Sequence, residues 1–287
     1  MAVYDRRYRA YDGPLTTVAS RWKVLPRHAW TGVFKSRLFV GFFTLCFAWP
    51  IAAAVWIYLH YNLAALANVG LDNVRLAAVD APFFAAFMGV QCFALGGIMT
   101  LLIGPGLVSP DLANGALPLY LSRPLSRTGY TLGKMFTLAA LISLITWIPG
   151  LILFLLQAWL AGWDWFASHV WLGVAIVGGA IIWIVTISLL ALATSALARR
   201  KVVAQTFLLG VIIFGGVAGQ AVNVMFGTRV GFLFNLPVVM QCVWNALYRL
   251  NMPTAFPAPV AFAALVAISG LSVAILARKL RAFEVVK

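Results

Sequence analysis

Charged residues are scarce in this sequence, and acidic residues are the scarcest. Of the 287 residues only 10% are Asp, Glu, Lys or Arg, and seven are acidic. A soluble domain carries about 25% charged residues, so this chain cannot cover its whole surface with solvated groups. With 63% hydrophobic residues and a mean hydropathy of +0.96, the chain is predicted to be an integral membrane protein.

Several kinds of chemical site are also missing from the sequence. There is no GxxxxGK[ST] loop, so the chain has no phosphate-binding ATP site of that type. The seven acids lie outside the interiors of the long apolar runs, which excludes a proton relay of intramembrane carboxylates. Cys46, Cys92 and Cys242 have neither metal-site spacing nor an even number for disulfides. We therefore expect no catalytic residue, no metal and no cofactor bound by this chain.

Apolar, charge-free runs long enough to cross a bilayer occur six times. A helix needs about 20 residues to cross about 30 Å of hydrocarbon. Pro50, Pro105 and Pro149 fall inside or at the ends of these runs. We expect kinks there, and we expect neighbouring helices to satisfy the carbonyls that the prolines leave free. The predicted spans lie near 38–59, 83–107, 135–160, 171–198, 202–226 and 259–277.

The basic residues predict the orientation of these spans. If both termini are cytoplasmic, 18 of the 21 Lys and Arg lie inside, and only Arg75, Arg229 and Arg249 lie outside. Positive charge favours the cytoplasmic side, so we predict an N-in, C-in protein of the cell's inner (plasma) membrane. This distribution accounts for the net charge of +14 without a nucleic-acid partner. The chain is predicted to form one domain, 1–287, with a cytoplasmic tail and a short interfacial helix ahead of the first span, the elbow helix (1–37), six spans (38–277) and a second cytoplasmic tail (278–287).

A short amphipathic helix is predicted ahead of the first span. Its apolar residues fall on one stripe of the helix and its basic residues lie mostly on the opposite face. This combination is typical of a helix that lies in the membrane interface. A plain basic flank that holds the N-terminus inside is the alternative. The apolar stripe consists of Trp22, Leu25, Ala29, Trp30 and Val33.

Residues 230–248 form a further charge-free stretch. Asn235, Pro237, Gln241 and Asn245 make it a poor lipid-facing span, and a seventh span would place the basic C-terminal tail outside. We predict one or two short re-entrant or interfacial helices on the outer side, before the last span. Such backbone is tolerated at membrane depth only where protein or water covers it.

The polar stretch 109–134 separates the second and third spans. Ser109-Pro110-Asp111 predicts a helix start, with Ser as N-cap and the acid in the first turn. Apolar residues then recur at helical spacing, so a short amphipathic helix is expected. Pro124 disfavours helix at Arg123, and Ser126 is placed to start the next helix. The apolar positions are Leu112, Ala116, Leu117, Tyr120 and Leu121.

This stretch resembles the first cytoplasmic loop of ABC transporter type-2 permeases. That family usually has Thr where this chain has Ala116. The elbow helix, the six spans and the short outer helices are similar to the family's layout. The resemblance implies a coupling helix that contacts a separate ATPase subunit, with ATP and Mg²⁺ bound on that subunit. The matching positions are Asp111, Gly115, Ala116, Leu117, Leu119, Leu121, Ser122, Arg123, Pro124, Ser126, Arg127, Gly133 and Lys134.

The resemblance also implies roles for particular residues. Asp111 is expected at a helix N-terminus, and Arg123 and Arg127 are expected to contact the ATPase or lipid phosphates. Anchoring by positive charge alone explains the two arginines equally well. The predicted coupling loop comprises Asp111, Leu112, Gly115, Leu117, Leu121, Ser122, Arg123, Pro124 and Arg127.

Uncharged polar residues inside the spans are candidates for a translocation path. In the family the second and fifth spans face the path, which selects four residues of this chain. Hydrogen bonding between helices is the alternative role for such side chains. The four candidates are Gln91, Gln205, Gln220 and Asn223.

Together with the six predicted spans, the resemblance implies the permease subunit of an ATP-driven ABC exporter. It would work as a homodimer or with a related permease, in contact with an ABC ATPase and membrane lipid. It is not expected to be an enzyme, because the separate subunit would hydrolyse ATP. The alternatives are a membrane scaffold without transport and a secondary transporter driven by an ion gradient. The lack of intramembrane charge and of paired broken spans disfavours the second alternative.

Overall fold

The regular elements of the protein are helices. The structure, a computed structural model, describes residues 24–62, 78–116, 126–251 and 254–280. Within these ranges all regular elements are helical, and six stretches are long and apolar enough to cross a membrane. The predicted all-α membrane protein with six candidate spans is therefore confirmed. The spans are Arg37–Tyr61, Ala81–Ala113, Arg127–Ala161, Trp163–Leu197, Lys201–Phe226 and Ala258–Lys279.

The first three spans are each broken into shorter helices. Every proline predicted to cause a kink stands in the first turn of a helix that follows a break, at Pro50, Pro105 and Pro149. The second span also contains a π-helical segment. The segments are Arg37–Leu45 and Ala48–Tyr61 in the first span; Ala81–Gly89, Val90–Gly96 (π), Gly97–Ile103 and Pro105–Ala113 in the second; and Arg127–Ile145 and Trp147–Ala161 in the third.

The fourth span forms the centre of the bundle. It packs against the third, fifth and sixth spans and against the last segment of the second. In its most apolar stretch 61% of the residues are buried, compared with 17% in the fifth span and 22% in the first and sixth. The outer faces of these three peripheral spans are thus left for lipid or for another chain.

A single residue, Gly162, joins the third and fourth spans. Its φ of 95° and ψ of 173° define a conformation that is essentially limited to glycine. The chain reverses direction within this one residue, so the third and fourth spans are antiparallel neighbours. We call the opposite end of the bundle, where Arg37, Lys134 and Lys201 lie, the basic end.

The N-terminal helix runs from Val24 to Val33 and packs against the start of the third span. The indole Nε1 of Trp30 donates a hydrogen bond to the carbonyl of Thr137, at 3.1 Å. The described members of the predicted apolar stripe are partly buried against the core, whereas Arg27 and His28 are exposed. Trp22 lies outside the described residues. The position of this helix in the membrane interface stays a prediction.

Residues 230–248 form two short helices, as predicted. A 3-10 helix spans Val230–Phe234 and an α-helix spans Leu236–Leu247. The 3-10 helix lies so close to the backbone of the fifth span that a Cβ at Gly219 would collide with the carbonyl oxygen of Gly231. The Asn223 side-chain oxygen accepts a hydrogen bond from Gly231 N at 2.7 Å and holds the two elements together.

Candidate functional site

The second span continues into the stretch that was predicted to start a new helix. Its last segment, Pro105–Ala113, passes through Ser109 and Pro110, so the predicted helix start at Ser109 is wrong. The Ser109 hydroxyl donates to the carbonyl of Pro105 in its own helix, at 2.7 Å, instead of capping a new one. The segment ends at Ala113, with Asn114 as its C-cap, and Gly115 follows with a left-handed φ of 62°.

A serine of the fourth span stabilises the start of this segment. The Ser195 hydroxyl oxygen accepts hydrogen bonds from the amides of Val108 and Ser109, at 3.2 and 2.9 Å. It donates to the carbonyl of Pro105 at 2.8 Å. A buried side chain 86 residues away in the sequence thus bonds to three backbone groups of this segment.

Asp111 forms the centre of a polar cluster at the basic end. Its carboxylate oxygen Oδ2 lies 2.8 Å from Lys134 Nζ and accepts a hydrogen bond from the Tyr130 hydroxyl at 2.6 Å. The side chains of Lys134 and Asp111 are only 11% and 16% exposed, and Tyr130 is 1% exposed. We call these three residues the anchor cluster.

The expected place of Asp111 at a helix N-terminus is also wrong. Asp111 lies in the last turn of its helical segment, where the partial negative charge of the helix end opposes a carboxylate. The Lys134 ammonium and the Tyr130 hydroxyl compensate for this position. They come from successive turns of the third span, four residues apart and therefore on one face of the helix. That spacing was visible in the sequence, but the pairing with Asp111 was not predicted.

The anchor cluster connects the two ends of the predicted coupling loop. Asp111 ends the second span, and Tyr130 and Lys134 begin the third. The predicted restart at Ser126 is confirmed, since its hydroxyl accepts from Gly129 N at 3.0 Å and the helix begins at Arg127.

The described loop residues lie at the two edges of the loop. Leu112 is half-buried, whereas Gly115 and Arg127 are exposed. The remaining predicted coupling residues, Leu117, Leu121, Ser122, Arg123 and Pro124, lie outside the described residues.

Gln91 provides hydrogen bonds to two proline-freed carbonyls. A proline has no N–H, so the carbonyl four residues before it loses its helical partner. Pro50 leaves the carbonyl of Cys46 free and Pro149 leaves that of Ile145 free. The buried Gln91 amide nitrogen donates to both oxygens, the first at 3.0 Å. One side chain in the π segment thus joins the first three spans.

Gln205 repeats this arrangement at the third proline. Its amide nitrogen donates to the carbonyl of Leu101 at 3.0 Å, which is the carbonyl that Pro105 leaves free. The expectation that neighbouring helices satisfy these groups is therefore confirmed at all three prolines.

The four candidates for the translocation path do not form one group. Gln91 bonds to the first and third spans, and Gln205 bonds to the second. Asn223 bonds to the 3-10 helix, and Gln220 is exposed on the fifth span. These contacts give three of the four side chains a role in packing. Their role in a path stays a prediction.

Neither a scan against models of known protein families nor a comparison with curated proteins finds a match for this chain.

Proposed function

We propose that the chain is the membrane-spanning permease subunit of an ATP-driven ABC exporter. The observation that carries the proposal is the anchor cluster, which ties the second and third spans together beneath the loop that resembles a coupling loop. A charge-assisted contact between two mostly buried groups is stronger than an exposed pair. A force on the loop would therefore move both span ends as one unit.

The proposed mechanism is mechanical. ATP-driven closure of a separate ATPase dimer presses on the predicted coupling loop, and the second and third spans tilt together. Proline breaks in both spans are places where helices bend. Two copies of the chain, or one copy and a related permease, would form the path, with both termini in the cytoplasm and the bundle in the plasma membrane. ATP and Mg²⁺ would bind on the ATPase.

The test is co-purification of the chain with the ABC ATPase encoded nearest to its gene. We would compare wild type, a variant with Leu117→Arg and Leu121→Arg, and a control with Leu117→Met and Leu121→Met. The arginines remove the apolar contact surface, whereas the methionines preserve it. We expect wild type and the Met variant to retain the ATPase and the Arg variant to lose it.

Size-exclusion chromatography of each tagged chain shows whether the variants fold. A monodisperse Arg variant without ATPase supports the coupling loop. A wild-type chain that retains no ATPase refutes the proposed function, and so does an Arg variant that retains it fully.

A further inference from the structure

A cavity of about 670 Å³ opens at the basic end. Its walls come from the N-terminal helix, the beginning of the first span and the end of the second. Lys134 of the anchor cluster and Lys201, the first residue of the fifth span, complete it. Five separate parts of the chain thus meet around this space.

The polar part of the lining carries a net positive charge. The charge of Lys134 is balanced by Asp111 at 2.8 Å. Lys201 is exposed, and no acid among the described residues pairs with it. Arg199 and Arg200 precede it directly, and no side chain caps the helix that it begins. The partial positive charge of this helix start adds to that of the three basic residues.

The other part of the lining is apolar. Leu38, Phe39 and Leu102 form an apolar wall of the cavity, and Leu38 is 69% exposed on the first span. The cavity therefore extends from a cationic rim to a surface that faces hydrocarbon in a membrane. A soluble anion would use the rim and leave this apolar wall uncovered.

We propose that this cavity binds an anionic phospholipid from the leaflet at the basic end. The lipid phosphate would contact Lys201 and the uncapped start of the fifth span. The acyl chain would lie along Leu38 and Leu102. Basic pockets between membrane helices suit such headgroups, and burial of acyl methylenes along an apolar wall is favourable. The inference requires a membrane-spanning chain and does not depend on the transport function.

Such a lipid would lie beside the anchor cluster. The cavity reaches Asp111 and Lys134 as well as Lys201. A bound phosphate would add negative charge next to the Asp111–Lys134 pair. Anionic lipid would in this way influence the anchor cluster that connects the second and third spans.

The test measures lipid binding to the purified chain by native mass spectrometry. Phosphatidylglycerol is titrated against phosphatidylcholine with the same acyl chains. Glycerol 3-phosphate and inorganic phosphate are separate arms. We expect preferential binding of phosphatidylglycerol and no competition from either soluble anion. Lys201→Gln should weaken that binding about fivefold, the effect of about 1 kcal/mol for one basic residue at an anionic lipid.

A second variant tests whether the lipid lies in the cavity, by filling that space with a large side chain. Gly32 lines the cavity, and a Cβ there meets no atom within 4 Å, so Gly32→Trp should fold and reduce phosphatidylglycerol binding. Gly41→Trp is its matched control, because Gly41 is equally open and outside the lining. Lys279→Gln is the control for Lys201→Gln, since Lys279 is exposed and also outside it.

Three results would overturn the proposal. The first is equal binding of the two lipids. The second is equal loss of binding in a variant and its control. The third is full competition by glycerol 3-phosphate or inorganic phosphate, which would instead identify a site for soluble anions.

Discussion

Replacement of Gln91 by leucine should destabilise the protein by removing both hydrogen bonds to the proline-freed carbonyls. The two side chains have similar volumes, so the change removes donors without opening a large cavity. Hydrogen bonds between membrane helices average about 0.6 kcal/mol, which gives a lower figure of about 1 kcal/mol for two. A buried carbonyl left without any partner costs about 1–3 kcal/mol, so the loss rises if the two oxygens find no other donor.

One effect of the same substitution is expected to stabilise the protein. The Gln91 side-chain oxygen is buried and has no hydrogen-bond partner among the described residues. Leucine removes this unsatisfied group, which offsets part of the loss. We expect the free energy of unfolding to fall by about 2 kcal/mol, measured by SDS-induced unfolding in mixed micelles. Gln220→Leu is the control, because Gln220 is exposed and should change the value by less than about 0.5 kcal/mol.

A double-mutant cycle with Pro50→Ala tests the physical reason directly. Alanine restores an N–H at position 50, and the backbone at Cys46 and Phe47 is already close to helical. The Cys46 carbonyl then has a donor in its own helix, so Gln91→Leu should cost about 1 kcal/mol less in this background. An equal cost in both backgrounds would show that Gln91 does not act through the proline-freed carbonyl.

Three further predictions use the same unfolding measurement. Asp111→Asn should lower the free energy of unfolding by about 1–3 kcal/mol because it leaves Lys134 mostly buried without its counter-ion, and adding Lys134→Met should recover part of the loss. Gly219→Ala should cost about 1–3 kcal/mol because its Cβ collides with backbone, whereas Gly270→Ala, whose Cβ meets no atom within 4 Å, should be neutral or stabilising. Gln205→Leu should cost about 0.6 kcal/mol because one hydrogen bond is lost.

Each of these predictions has a contradicting outcome. The anchor cluster is not a buried ion pair if Asp111→Asn is neutral, or if Lys134→Met gives no recovery. Equal changes in the free energy of unfolding for Gly219→Ala and Gly270→Ala would contradict the close approach of the 3-10 helix to the fifth span. A cost for Gln205→Leu as large as that of Gln91→Leu would contradict the count of hydrogen bonds.

The spans and their breaks could be predicted because their causes are local. A long charge-free run has few alternatives to a membrane helix, and a proline lacks its N–H wherever it stands. The donors that satisfy the freed carbonyls were not predictable, because Gln91 lies 45 and 54 residues from its two partners. Sequence spacing alone does not show which glutamine faces which carbonyl.

The predicted helix start at Ser109 is wrong because contacts between spans are likewise not visible in the sequence. A Ser-Pro-Asp triplet is typical of a helix start, but here the helix continues through it, and Ser195, on another span, bonds to two amides of that segment. The anchor cluster depends equally on how the second and third spans pack. The coupling role itself comes from a resemblance in the loop, and it stays a prediction.

The one-residue connection at Gly162 determines where relative motion of the third and fourth spans is greatest. The two helices share a pivot at that end and cannot separate there. At 1.5 Å per residue the 35 residues of the fourth span reach about 50 Å from it. A relative rotation of about 5° would displace the far end by about 4–5 Å over that length. Small angular changes are therefore amplified at the basic end, beside Ser195 and the anchor cluster.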